Sequence, residues 1–384
     1  MLKTRIIIFG GDNYNTCGMI RTLGEAKIDF HCIIIKNSNG LVIASKSKFL
    51  KGKHVAIVNS VQEGYEILLK NKGQKQKSFL LIEGDGLTGF LDMHYDSLKD
   101  NYIWNTAYEQ GRLSKYLNKY EQVEVAKKCG IKVLESIVIT KDSIPDDLEY
   151  PVITKAISSE IVHWKSECFI CHTKDELVDV FKKIKSSSIM VQKYIKKSNE
   201  LCFDGYSINQ GKDQFVAILS KYNYLLEDKY SFYLTVENVK DKKYINEITK
   251  FMSYVHYDGI YAFEYIVDEE GEAYFMENNF RNSGWSYAST CAGMPLPILW
   301  IESMINGTID YSKMKEIKPG FTFMDDFADF QTRVMGRMSS VRKWLKEYRD
   351  CDCRLLLGKK DPLPIMAYVS SRFFNKIKRK LKKV

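Results

Sequence analysis

Two glutamates and an asparagine late in the chain lie in a segment whose pattern predicts a β-hairpin. Residues 259–268 and 272–281 form two largely apolar runs joined by a short polar turn. Because side chains alternate along a strand, a turn of two or four residues places Glu264 and Glu277 on the same face, and Asn279 joins them two residues later. Apolar residues occupy both parities of each run, so both faces of the hairpin are expected to be covered.

A carboxylate in such a covered hairpin is costly unless it is paired or binds a cation. Two neighbouring carboxylates do not both stay ionised without a cation, and two carboxylates with an amide oxygen are ligands that suit Mg²⁺. Arg281 continues the same face, where its guanidinium would stabilise negative charge that develops beside the metal. The alternative is structural, with Glu264 and Glu277 each paired to a lysine or arginine in the core.

These residues resemble the signature of the ATP-grasp superfamily, whose members join a carboxylate to an amine or a thiol. Family members carry a first metal carboxylate on one late strand and an Asp/Glu-x-Asn-x-Arg run on the next. Here these are Glu264 and the run from Glu277 to Arg281. The resemblance implies that Glu264, Glu277 and Asn279 bind Mg²⁺, and that Arg281 is the catalytic residue that steadies an acyl-phosphate step.

The resemblance also implies a nucleotide-binding set upstream of the hairpin. Two lysines are expected to hold phosphates, followed by an adenine-binding linker and an acid that holds the ribose hydroxyls. The first lysine starts a helix that Asn118 can cap and Gly130 can stop, and the second closes the strand 151–155. The residues that match this set are Lys119, Lys155, Gln192, Lys193, Tyr194, Ile195 and Glu200. Singly, each is also consistent with an ordinary surface or strand residue.

One segment departs from the family pattern. Many members have a glycine-rich loop over the phosphates after the second lysine, whereas residues 156–165 contain no glycine. Ser158, Ser159, Lys165 or backbone N–H groups are candidates to replace that loop. His163 is either an acid–base or substrate contact or, more simply, a loop or core histidine.

The order of predicted elements gives the fold class, which is α/β followed by α+β. Apolar runs at 5–9, 30–35, 55–58 and 79–82 alternate with helical segments, as is typical of a parallel sheet covered on both faces. Their glycines do not match the dinucleotide fingerprint. Antiparallel strands follow the helix that begins near Leu113.

We therefore predict a Rossmann-like domain over residues 1–112, of the kind that precedes ATP-grasp modules. An ATP-grasp domain is expected over 113–310, with its lid at about 130–190, and a C-terminal extension over 311–384. Asp85 follows a strand of the first domain, where an α/β domain places ligands, although a turn role fits equally well.

Composition and charge exclude several classes of protein. The chain has 384 residues, 45% of them hydrophobic, without an apolar run long enough to predict a membrane-spanning helix. Lys and Arg number 57 against 48 Asp and Glu, but seven basic residues and no acid lie in 372–384, so the rest is nearly neutral. Such a body has no broad footprint for nucleic acid. The first apolar run ends in Gly10 and Gly11, which indicates a strand rather than an export signal and predicts a cytoplasmic protein.

The nine cysteines follow no disulfide framework and are predicted to be reduced thiols. Cys168, Cys171 and His172 offer three soft ligands, but no second pair follows at zinc-finger spacing. Cys351 and Cys353 are similarly isolated. Both groups are predicted to be small buried side chains.

The basic tail has a second property, an apolar stripe at helical spacing after Pro362. The stripe consists of Met366, Val369, Phe373, Ile377, Leu381 and Val384. A basic amphipathic helix suits an anionic membrane surface, which would place the protein at the inner face of the membrane. The alternative is a helix docked on its own body with a frayed basic end.

The resemblance points to an ATP- and Mg²⁺-dependent carboxylate–amine ligase that acts through an acyl phosphate. Single-chain members of this kind resemble D-aspartate ligases and the ligases of surface-polysaccharide pathways. The expected partners are thus a small-molecule or lipid-linked carboxylate from the cell envelope and an amine. A non-catalytic nucleotide-binding protein is the alternative, favoured by the glycine-free loop. A biotin-type carboxylase component is a third interpretation, which the lack of a biotin-acceptor segment opposes.

Overall fold

A computed structural model describes residues 4–71, 76–140, 143–157, 168–184, 186–226, 230–358 and 360–381. Within these ranges the chain forms three β-sheets of five, four and seven strands, which follow one another along the sequence. The first sheet is parallel, and the other two are antiparallel except for one pair of strands at the edge of the third. The predicted mixed α/β fold with a parallel sheet is therefore confirmed.

The first sheet has the strand order β3-β2-β1-β4-β5. Its strands are β1 (Ile6–Gly11), β2 (His31–Ile35), β3 (Val55–Val58), β4 (Ser78–Ile82) and β5 (Tyr102–Ile103), and its helices are α1 (Tyr14–Glu25), α2 (Val61–Lys70), α3 (Asp85–Asp92) and α4 (Tyr95–Leu98). Ile6 and Ile8 of β1 enter one core and Ile7 and Phe9 enter another, so both faces of the strand are buried. This burial explains why the strands are apolar throughout.

The four-stranded sheet follows two helices and has the order β6-β9-β7-β8. The elements are α5 (Arg112–Tyr116), α6 (Lys119–Lys128), β6 (Ser136–Thr140), β7 (Val152–Lys155), β8 (Ile170–Cys171), α7 (Lys174–Phe181) and β9 (Ser188–Lys193). Asn118 accepts hydrogen bonds from the backbone N–H groups of Tyr120 and Glu121, which confirms the predicted cap. The helix expected from Leu113 is divided at Asn118, because a capping residue has an extended backbone.

The seven-stranded sheet has the order β14-β13-β10-β11-β12-β15-β16. Its strands are β10 (Asn199–Ile208), β11 (Asp213–Tyr222), β12 (Tyr233–Glu237), β13 (Gly259–Val267), β14 (Ala273–Asn279), β15 (Thr322–Met324) and β16 (Cys353–Arg354). The helices in this part of the chain are α8 (Lys242–Val255), α9 (Tyr287–Cys291), α10 (Leu296–Asn306), α11 (Asp326–Asp329), α12 (Val341–Asp350) and α13 (Leu363–Leu381). Short 3₁₀ turns lie at Ala44–Lys46, Lys48–Leu50 and Tyr311–Lys313, and Phe330–Met335 is a π-helix.

One hydrophobic core joins the first sheet to the seven-stranded sheet. It contains Ile8 of β1, Phe215 of β11 and Leu355 after β16. The fully buried guanidinium of Arg21 pairs with the carboxylate of Asp361 at 3.1 Å and ties the end of the chain to α1. This packing fixes the carboxyl edge of the parallel sheet relative to the predicted site.

Two cysteines differ from the sequence prediction. Cys291 at the end of α9 and Cys353 of β16 form a disulfide, whereas the prediction was that all nine are free thiols. Their separation of 62 residues carries no sequence signal, and the pairing arises because β16 joins the sheet beside α9. Cys171 is a buried free thiol in the structure, as predicted, whereas Cys168 is only partly buried. No helix among the described residues has the length and apolar character that a membrane span requires.

Candidate active site

The two glutamates of the predicted hairpin lie directly opposite each other. Glu264 of β13 pairs with Glu277 of β14 in the antiparallel register, so both side chains point to the same face. Nearer the turn Val267 pairs with Ala273, and the register shifts by one residue at Met276. The loop therefore has one residue more than the four-residue turn that was predicted. The bulge at Met276 compensates for this extra residue, so the two glutamates are paired as predicted.

A lysine and an amide contact the paired acids. Lys119, at the first position of α6, forms an ion pair with Oε2 of Glu277. Asn279 Nδ2 donates to Oε1 of Glu264 at 2.9 Å and, more weakly, to Oε1 of Glu277 at 3.4 Å. The Asn279 oxygen accepts from Arg281 Nη2 at 3.1 Å. The amide nitrogen of Asn279 therefore faces the carboxylates, and its oxygen would face a metal there only after the amide turns over.

The electrostatics of the two glutamates differ. Burial, then the negative charges of Glu277 and Glu200, raise the pKa of Glu264 well above its ordinary range. For Glu277, burial acts in the same direction, but the charge and hydrogen bond of Lys119, together with the charges of Lys155 and Arg281, lower its pKa overall. One acid is thus ionised beside the lysines, while the other needs a further cation in order to ionise.

The second predicted lysine, Lys155, lies on the neighbouring sheet, close enough to Lys119 for the two positive charges to interact. Lys155 Nζ donates to Gln192 Oε1 at 2.7 Å, and Gln192 Nε2 donates to Ser136 Oγ at 2.8 Å. Burial, followed by the charge of Lys119, lowers the pKa of Lys155. The structure therefore brings Lys119, Lys155 and Gln192 together at the junction of the four-stranded and seven-stranded sheets.

The predicted linker connects these two sheets. Lys193 ends β9 with its side chain exposed and 3.6 Å from Glu149, and the backbone N–H of Tyr194 donates to the oxygen of Pro151. Tyr194 and Ile195 follow β9 in irregular backbone and are partly buried.

Glu200 lies on the same sheet face as the paired acids. It is opposite Ile266 in the register of β10 and β13, and Cys202 two residues later is opposite Glu264. Lys197 Nζ holds its carboxylate at 2.7 Å. The predicted ribose-binding acid is therefore in the same cleft, beyond Glu264.

Arg281 is held by a residue that lies just after a strand of the first sheet. Its Nε lies 2.6 Å and its Nη2 3.3 Å from the two carboxylate oxygens of Asp85, the first residue of α3. Both side chains are 18% exposed. Burial lowers the pKa of Arg281, but the charge and hydrogen bonds of Asp85, together with the charges of Glu83 and Glu277, raise it overall. Asp85, for which the sequence left a ligand role or a turn role open, is thus an ion-pair partner of the predicted catalytic arginine.

A second acid at the same edge of the parallel sheet was not predicted. Glu83 follows β4, and its carboxylate accepts from Asn13 Nδ2 at 2.8 Å, from Asn15 Nδ2 at 3.2 Å and from the backbone N–H of Gly11 at 3.4 Å. The available signal was the position of Glu83 and of Gly11–Asn13 directly after two neighbouring parallel strands, where α/β domains bind ligands.

The side chains of the site are better suited to bind Mg²⁺ together with the phosphates of a nucleotide than to bind a metal ion by themselves. Within the described ranges, no three His, Cys, Asp or Glu side chains are grouped as metal ligands. Mg²⁺ is typically held by one or two carboxylates together with substrate phosphates. Glu264 and Glu277 supply the two carboxylates, and Lys119 and Lys155 lie where phosphates would need positive charge. The candidate lid residues Ser158, Ser159, His163 and Lys165 lie outside the described residues.

No protein-family model and no curated protein matches the sequence. Several solved structures match the fold. N5-carboxyaminoimidazole synthetase from Staphylococcus aureus has a TM-score of 0.65 and 16% identity, over 87% of this chain and 86% of that one. L-amino acid ligase from Bacillus licheniformis has a TM-score of 0.63 and 13% identity, over 84% and 79%. A biotin carboxylase from Campylobacter jejuni, in a β-γ-ATP complex, has a TM-score of 0.62 and 14% identity, over 82% and 73%.

These neighbours are ATP-grasp proteins, so the resemblance to that superfamily is confirmed at the level of the fold. Because the sequence identities are low, this conclusion concerns the fold and not the function.

Proposed function

We propose that the protein is an ATP- and Mg²⁺-dependent carboxylate–amine ligase that forms a C–N bond and releases ADP and phosphate. One observation carries the proposal: Glu264 and Glu277 lie opposite each other in the cleft, with Lys119 on the second acid. Lys155 and Arg281 lie close enough to lower the pKa of Glu277. The ATP-grasp fold supports the proposal because this cleft lies between its two antiparallel sheets.

The proposed nucleotide site uses groups that are now paired with each other. Lys119 and Lys155 would turn from Glu277 and Gln192 to the phosphates, and the released carboxylate would join Glu264 in holding Mg²⁺. The raised pKa of Glu264 supports this role, because a divalent cation lets a buried acid ionise. Bound Mg²⁺ would neutralise charge on the phosphates, which is its usual part in phosphoryl transfer.

Arg281 is the proposed catalytic residue. In the reaction an oxygen of the substrate carboxylate attacks the γ-phosphorus and ADP leaves, which gives an acyl phosphate. The amine nitrogen then attacks the acyl carbon, loses a proton, and phosphate leaves. Arg281, fixed by Asp85 at the edge of the first sheet, would stabilise the negative charge on the transferred phosphoryl group.

We also propose the substrate class and the cellular location. The carboxylate would be a precursor of the cell envelope or of a surface polysaccharide, small or lipid-linked, and the enzyme would act in the cytoplasm beside the membrane. The resemblance to surface-polysaccharide ligases and the basic amphipathic tail support this part of the proposal.

An ADP-release screen tests the reaction. Purified protein is given ATP, Mg²⁺ and pairs of candidate carboxylates and amines, and ADP is measured with each substrate omitted in turn. A carboxylate–amine ligase releases ADP only when a carboxylate is present, and it forms an amide when the amine is added. Glu277→Gln should abolish release, whereas Glu270→Gln, in the exposed turn of the same hairpin, should not change it.

Two results would count against the proposal. ADP release by Glu277→Gln at the wild-type rate would show that the paired acids do not hold the reacting nucleotide. Tight binding of ATP with no substrate-dependent ADP release across the screen would favour the non-catalytic nucleotide-binding protein.

A further inference from the structure

The last helix packs on the protein through only one of its faces. Ser371 Oγ of α13 accepts from the backbone N–H of Val42 at 3.4 Å, and Asn375 Nδ2 donates to a backbone oxygen of the same loop at 2.7 Å. The ring of Tyr368 packs edge-on against Phe327, with centroids 5.0 Å apart. These contacts define the docked face of α13.

The opposite face carries the predicted apolar stripe and leaves it exposed. Met366, Val369 and Phe373 have exposures of 64%, 48% and 62%. At 3.6 residues per turn these three side chains form one row, well away from the face that contains Tyr368 and Ser371. About half or more of each of these three side chains is therefore accessible to solvent. Single exposed apolar residues are ordinary, but an aligned row on one helix is typical of an interaction site.

The charge of the segment indicates what covers the row. From Pro362 onward the sequence contains seven basic residues and no acid. Arg372 contacts Gln331 and the ring of Phe327, and the other six basic residues follow the row in the sequence. An apolar row followed by basic residues is complementary to an anionic lipid surface, where the apolar side chains enter the interface and basic ones contact the headgroups. A flat surface also fits the geometry, because the other face of the helix is already occupied by the protein itself.

We infer that α13 is a membrane-docking helix, which lies in the plane of an anionic bilayer with Met366, Val369 and Phe373 inserted. The docked face keeps the helix attached to the catalytic body, so the whole protein would be held at the surface. This surface is defined by exposure and charge, and it does not depend on the ligase chemistry.

Vesicle sedimentation with the full chain tests the inference without any substrate. The probes are vesicles of phosphatidylcholine alone and vesicles that also contain phosphatidylglycerol. The protein should sediment with the anionic vesicles and less so as salt is raised. The variant Met366→Ser/Val369→Ser/Phe373→Ser should need at least about tenfold more lipid for half-binding. The control Ile57→Thr/Ile305→Ser changes two apolar residues elsewhere that are about half exposed, and it should bind as the wild type does.

Three outcomes would overturn the inference. They are failure of the full chain to bind anionic vesicles, unchanged binding by the triple variant, and a dimer in light scattering that the triple variant dissociates. The last would assign the row to a second copy of the chain. Unchanged thermal midpoints show that the variants are folded, and Phe373→Ser alone replaces the triple variant if its midpoint falls. Loss of ligase activity in the ADP screen would leave this result unaffected, so this inference and the proposed reaction fail separately, whereas the proposed location depends on both.

Discussion

The ion pair between Asp85 and Arg281 gives a prediction whose size follows from the structure. Asp85→Asn keeps the shape of the side chain and removes its charge. The pair consists of hydrogen bonds at 2.6 and 3.3 Å between side chains that are mostly, but not fully, buried. A hydrogen bond to a charged group is worth roughly 1.5–3 kcal/mol, and partial exposure favours the lower end of that range.

If Asp85 positions Arg281 for phosphoryl transfer, a loss of about 1.5–2 kcal/mol from the transition state lowers kcat by roughly 10–30-fold. The KM for ATP should change little, because Arg281 is proposed to act on the transferred group rather than on the bound nucleotide. Steady-state ADP release by Asp85→Asn and by the control Asp96→Asn, an exposed acid of α4, measures both quantities.

Two outcomes would contradict the prediction that Asp85→Asn lowers kcat and leaves the KM for ATP nearly unchanged. A purely structural ion pair would lower the thermal midpoint of Asp85→Asn and leave kcat intact. A rise in the KM for ATP with unchanged kcat would move Arg281 to ground-state nucleotide binding. Either result would refute the reasoning that Asp85 holds Arg281 for the chemical step.

Three further predictions concern stability and the first lysine. Burial and the charge of Asp326 raise the pKa of Asp325 in the folded protein to about 7. The folded state is therefore stabilised by protonation of Asp325, and this stabilisation is lost as the pH rises from about 4 to about 7. Urea denaturation of Asp325→Asn, which keeps the cap of α11, should give a gain over the wild type that grows across this range. Arg21→Met leaves Asp361 as a buried unpaired charge and should lower the free energy of unfolding by about 3–5 kcal/mol, measured by the same method. Asn118→Ala should cost about 1 kcal/mol and also raise the KM for ATP, because the cap fixes the first turn that carries Lys119.

The local parts of the site could be predicted from the sequence, because they depend on strand alternation and helix capping. The shared face of Glu264 and Glu277 and the cap at Asn118 are examples. The bulge at Met276 could not be predicted, since the residues on either side of it, Phe275 and Asn278, bond to Lys132 and Gln122 in a distant segment. The prediction that Glu264 and Glu277 share a face was nevertheless correct, because the extra turn residue and the bulge compensate for each other.

Contacts between segments that are far apart in the chain could not be predicted from the sequence. Asp85 and Arg281 are 196 residues apart, and either could satisfy its charge in many other ways. Only the packing of the parallel sheet on the seven-stranded sheet brings them together. The same holds for Cys291 and Cys353, whose pairing depends on β16 joining the sheet.

The most direct test of the account is calorimetric titration of ATP, with and without Mg²⁺, into the wild type and into Glu264→Gln and Glu277→Gln. We predict that the wild type needs Mg²⁺ for tight binding and that each variant loses roughly tenfold or more in affinity. Glu264→Gln should remain as stable as the wild type, because its acid is costly to ionise when no cation is bound. Mg²⁺-independent binding of ATP, with equal affinity in all three proteins, would contradict the claim that the paired acids hold the metal nucleotide.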